Sequence, residues 1–78
     1  MRQKTLQLVV TFKTVNAAMA MEKYCIDNHI PGKIIPVPRE ISSGCGMAWS
    51  TSLERRKDIE MAVKKAGIKI NGIYELEI

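Results

Sequence analysis

Near the start of the chain, Leu6, Leu8, Val10 and Phe12 alternate with Gln7, Val9, Thr11 and Lys13. A period of two with one apolar face predicts a half-buried strand. Asn16 then offers an N-cap for a helix through about Asn28. Ala18, Met21 and Cys25 share one helical face, and Ala17, Ala20 and Tyr24 widen it. Pro31-Gly32 ends the helical region and starts a turn. Lys33 to Val37 reads as a second strand, which Pro36 and Pro38 demote to a sheet edge because they lack N–H donors. Arg39 to Gly44 reads as a loop, and Gly46 to Ser50 as a short third strand carrying Met47 and Trp49. Thr51-Ser52-Leu53-Glu54 has the spacing of a capping box. The second helix follows, with Ile59, Ala62, Val63 and Ala66 on one face, Lys64 and Lys65 in the last turn, and Gly67 as its C′ residue. Asn71-Gly72 predicts a turn before the closing strand, in which Tyr74, Leu76 and Ile78 face one way and Glu75 and Glu77 the other.

The order β-α-β-β-α-β predicts an α+β, ferredoxin-like split βαβ sandwich. In that fold a four-stranded antiparallel sheet carries both helices on one face. Strands one and three are central; two and four are edges. The topology brings the loop from Arg39 to Cys45, the start of the first helix and the end of the second helix to the same end of the sheet. The loop is expected beside the N-terminus of the first helix. Phe12 and Tyr74 are expected to pack inward and Trp49 to belong to the core.

Length and composition narrow the class. Seventy-eight residues make one domain, spanning 1–78, with 46% hydrophobic and 26% charged residues. No apolar run approaches the roughly 20 residues of a membrane span. The N-terminus reads as a strand rather than a signal peptide, so a cytoplasmic protein is expected. The net charge of +4 favours anionic ligands or acidic partner surfaces. Two cysteines cannot build a disulfide scaffold, and with His29 as the single histidine they do not complete a structural zinc site. Neither a metal nor a cofactor is called for.

The most distinctive stretch is Pro36-Val37-Pro38-Arg39-Glu40-Ile41-Ser42-Ser43-Gly44-Cys45-Gly46. A thiol between two glycines has little steric cover, and glycine lets the backbone turn sharply. A helix start, Arg39 and Lys13 would each favour the thiolate, which is the nucleophile, and the Gly44 and Gly46 amides suit an anion. Cys45 therefore reads as a working thiol, set against the plainer reading of an incidental cysteine in a glycine-rich loop. Cys25, on the apolar face of the first helix, reads as core; the sharper alternative makes it a resolving thiol for Cys45, which needs the two Cα atoms within about 7 Å. His29 reads as a capping or solvent-exposed residue.

The segments Phe12-Lys13-Thr14, Ala17 to Glu22, Gly32 to Ile41 and Gly44 to Trp49 give the chain a resemblance to the selenium/sulfur carrier protein-like family of short bacterial domains. The most specific part is Pro-x-Pro-Arg-Glu-Ile followed closely by Gly-Cys-Gly. The resemblance implies that Cys45 accepts a sulfane sulfur or selenium atom from a protein donor, such as a cysteine desulfurase, and passes it to a protein acceptor. Such a chain is a carrier more than a catalyst. It lacks the Cys-Pro-x-Pro motif of better-known sulfur carriers. The alternatives are a non-catalytic regulatory or interaction module, with its edge strands open to pairing with a second copy, and a thiol redox sensor using Cys25 and Cys45. Nucleic-acid binding is disfavoured by the shortage of aromatics for stacking.

Overall fold

The computed structural model describes residues 5–38, 41 and 46–77. Its elements are β1 (Leu6–Phe12), α1 (Val15–Asp27), β2 (Lys33–Pro36), β3 (Met47–Ser52), a single 3₁₀ turn (Leu53–Arg55), α2 (Arg56–Ala66) and β4 (Ile70–Glu77). The four strands form one antiparallel sheet in the order β2-β3-β1-β4, an α+β ferredoxin-like arrangement. β1 and β3 are central, as the pattern predicts, and Pro36 sits on the β2 edge, where its missing donor costs no inner ladder bond.

Both helices cover one face. Leu8, Val10, Phe12 and Trp49 from the sheet are buried with Ala18, Met21 and Cys25 from α1 and Ile59 and Ala62 from α2. The other face departs from the expected half-buried strand: Val9 and Thr11 are also fully buried. Cover for Val9 comes from the connection after β2. Ile41 lies against Val9 and Ala48, joined by Ile35, Val37 and Leu76, in a second small apolar cluster. Tyr74 does not pack inward as expected. It lies on this second face of edge strand β4 and is 37% exposed, while its neighbour Ile73 packs into the main core.

Several boundaries shift for identifiable reasons. The cap of α1 is Thr14 instead of Asn16: its backbone is extended and its hydroxyl accepts from the Ala17 N–H at 3.2 Å. At the far end the Ile30 N–H donates to the Cys25 carbonyl (2.8 Å) and the His29 N–H to that of Ile26 (3.3 Å). This is a Schellman closure, with His29 in the left-handed conformation (φ 57°) that glycine usually takes. The anticipated capping box does not form. Thr51 belongs to β3, and its hydroxyl donates to the Pro31 carbonyl at 2.6 Å. Asn71-Gly72 is not a turn either; both residues lie within β4, and a register shift between Thr11 and Phe12 absorbs the irregularity. A Cβ on Gly72 would come within 2.9 Å of the Tyr74 hydroxyl, so the glycine makes room for that ring. Gly67 does close α2 in the left-handed conformation.

A close approach at Gly32 adds to the ladder that holds the β2 edge on β3. Gly32 has φ +154°, and a Cβ there would lie 2.6 Å from Cζ2 of Trp49 and 2.7 Å from the Ser50 carbonyl oxygen. Neither the indole nor the backbone can retreat cheaply. Gly32→Ala should therefore cost about 2–3 kcal/mol, read as a lowered urea midpoint. His29→Gly should move the midpoint the other way, by up to about 1 kcal/mol, because it removes the left-handed strain of a residue bearing a Cβ.

Candidate functional site

β1 and β3 run antiparallel, and their last recorded pair at one end is Thr11 with Ala48. Lys13 follows Thr11 by two residues and Gly46 precedes Ala48 by two, so both emerge at the same end of the sheet. α1 starts there and α2 finishes there. The connection between β2 and β3 is held at its base by the pairing of Pro36 with Met47 and by a hydrogen bond from the Val37 N–H to the Gly46 carbonyl at 3.1 Å. Gly46 has φ +74°, a conformation that costs an L-residue about 1–2 kcal/mol. A Cβ on it would meet nothing within 4 Å among the described residues, so backbone conformation, and not lack of space, accounts for glycine here.

Cys45, Arg39 and Gly44 lie outside the described residues. Of the residues singled out from the sequence, the structure brings Lys13 and Gly46 to one end and sets Cys25 at the other. The expected placement of the Arg39–Cys45 loop beside the start of α1 falls, apart from Ile41, outside the described residues. Ile41, at its middle, is buried on the sheet face away from the helices, and its N–H donates to the Pro38 carbonyl at 3.0 Å. Ile41 is thus placed over the second face of the sheet. The physical cause is the apolar surface of Val9 and Ala48, which Ile41 removes from water.

The electrostatics of this end are simple. Lys13 is exposed, Lys64 and Lys65 occupy the exposed last turn of α2, and Lys69 follows just before β4. The first turn of α1 contains no acidic residue. Lys69 was not singled out from the sequence; only the direction of β4 shows that the residue before it belongs to this end. The second face also carries a groove of about 840 Å³, lined by Thr5, Gln7, Lys33, Ser50 and Ser52 and bordered by Pro38. Most of its lining comes from the opposite end of the sheet. Among the described residues, no group of three or more His, Cys, Asp or Glu side chains could hold a metal, and no helix is long and apolar enough to cross a membrane.

Cys25 is a core residue. It is fully buried, and ten residues of helix at about 1.5 Å each separate it from Val15 at the other end of α1. Burial, with a smaller push from the Asp58 carboxylate, raises its thiol from 9.0 to about 11. At neutral pH it is protonated and covered, the reverse of what a nucleophile needs.

The family model described as "Putative Se/S carrier protein-like" matches residues 7–75, and the chain belongs to that family. No curated protein and no solved structure matches it.

Two outcomes follow for Cys25, both tested in a Cys45→Ser background. Iodoacetamide at about pH 8 should leave the folded protein unlabelled and modify Cys25 once urea unfolds it. The second is a pH slope. The unfolded thiol ionises near 9.0, whereas the folded one keeps its proton up to about 11. The stability held by the neutral thiol is therefore complete below 9.0 and declines as the pH rises toward about 11. Urea midpoints across that range should fall more steeply than those of the same protein carrying Cys25→Ala.

Proposed function

We propose that the chain is a stoichiometric carrier that holds a sulfane sulfur or selenium atom on Cys45 and delivers it to a protein acceptor. The observation that carries this reading is the family match over residues 7–75, a span that includes Cys45. Two features of the structure support it. The only described cysteine is buried and kept protonated, which leaves Cys45 as the thiol free to serve. Gly46, the residue after Cys45, is pinned by the Val37 hydrogen bond at the base of β2 and β3, and a Cβ on it would meet none of the described residues within 4 Å.

The transfer balances without an added oxidant. The Cys45 thiolate attacks the outer sulfur of a donor persulfide. A new S–S bond forms to Cys45 as the old one breaks, and the donor thiolate leaves with the electron pair. Cys45 then bears the persulfide, and the donor thiolate takes up a proton from solvent. Delivery repeats the step with an acceptor nucleophile attacking the outer sulfur and Cys45 as the leaving thiolate. A perselenide donor follows the same course. Lysines at this end favour the thiolate in both halves, as attacking group and as leaving group.

Incubation with a persulfide donor should add about 32 mass units to the protein, or about 80 with a selenium donor, and dithiothreitol should remove them. Cys45→Ser should abolish the adduct and Cys25→Ser should retain it. An intact-mass spectrum with no reducible adduct on the wild type would remove the basis of the carrier role.

A further inference from the structure

The charges of the described residues are sorted by end. Each ion pair recorded lies away from Lys13 and Gly46: Lys23 with Asp27, Arg55 with Asp58, and Arg56 with both Glu60 and Glu75. At the end that carries Gly46, Lys13, Lys64, Lys65 and Lys69 are exposed, and none has a carboxylate partner among the described residues. Elsewhere among those residues, carboxylates outnumber lysines and arginines. Among the described residues the excess of positive charge thus lies at one end of the sheet.

Helix stability accounts for part of this and no more. Lys64 and Lys65 complement the dipole at the end of α2. Lys13 and Lys69 belong to no helix, yet the topology adds them to the same surface, where four like charges repel one another. A single-sign patch raises encounter rates with an oppositely charged partner and is screened by salt. Apolar surface lies beside it: Val15, the first residue of α1, is 46% exposed, and Met19, one turn further, is 58% exposed. A basic rim next to exposed aliphatic side chains suits a protein partner. A single-stranded nucleic acid is served less well, because stacking needs exposed rings, and Phe12, the aromatic residue nearest this end, is fully buried.

We propose that the lysine end, Lys13, Lys64, Lys65 and Lys69 with Val15 and Met19 at its margin, is the docking surface by which the chain meets its sulfur donor, and that the donor presents an acidic surface around its persulfide. The inference rests on the carrier reading and adds the partner's chemistry to it. The charges steer the donor to the end of the sheet that carries Gly46. Salt beyond about 0.1 M shortens the range of that steering to under about 10 Å.

The test compares loading of Cys45 from a persulfide-bearing cysteine desulfurase with loading from a small neutral donor, the persulfide of N-acetylcysteamine. Loading from the desulfurase should slow about tenfold between about 50 mM and about 300 mM NaCl, and by a similar factor in Lys64→Glu/Lys65→Glu at low salt. Loading from the small donor should change less than about twofold under both conditions, which also shows that the variant is folded and its thiol intact. Desulfurase loading that is indifferent to salt and to the charge reversal, or no faster than loading from the small donor, overturns the docking proposal and leaves the carrier reading standing. If the small donor too leaves no adduct, the carrier reading itself fails. Tighter binding of single-stranded RNA than of the desulfurase, lost in the same variant, overturns the proposal in favour of a nucleic-acid surface.

Discussion

From Leu8 to Phe12, strand β1 is dry on both faces, and much of the molecule is arranged to keep it so. Leu8, Val10 and Phe12 point into the layer shared with the helices, while Val9 and Thr11 are equally buried on the opposite side. A ferredoxin-like sheet has helices for only one face. Here the part of the second face around Val9 and Ala48 is covered by Ile41, supplied from the connection between β2 and β3, with Val37, Ile35 and Leu76 around it. Burying a side chain of that size stabilises by about 1.5–3 kcal/mol, enough to hold the middle of a connection against the sheet. The segment leading to Cys45 therefore has a structural task of its own.

That task bears on the site. The connection is tied at its base by the Val37–Gly46 hydrogen bond and at its middle by Ile41. Its final glycine adopts a conformation that a residue with a Cβ would resist. The lysines of this end arrive from three separate places: the exit of β1, the last turn of α2 and the approach to β4. The recorded ion pairs, at the other end, involve exposed groups and contribute little to stability. The uneven distribution of charge is thus of more consequence for association than for folding.

The two cysteines show how position governs a thiol. Cys25 packs against the main core near the close of α1, and desolvation holds its proton. In the sequence it differs from Cys45 chiefly in its neighbours: an apolar helical face in one case, a pair of glycines in the other. Its apolar helical face was enough to mark Cys25 as a core residue. The depth of Cys25, and its separation from Gly46 along the length of α1, became visible only in three dimensions.

Periodicity and punctuation determined the order of the elements, the edge position of the proline-bearing strand and the helix faces, because these depend on residues near in sequence and on the backbone's intrinsic limits. Local signals misled where a distant partner outbid them. Thr51 spends its hydroxyl on Pro31, Gly72 yields space to Tyr74 inside a strand, and Val9 is covered by Ile41. The gathering of Lys13, Lys64, Lys65 and Lys69 at one end belongs to the same class, since charges far apart along the chain become neighbours only when strand directions are set. Short-range patterns follow from covalent proximity. Cover, distance and the shape of the electric field depend on what folding brings together, and only the tertiary structure decided those.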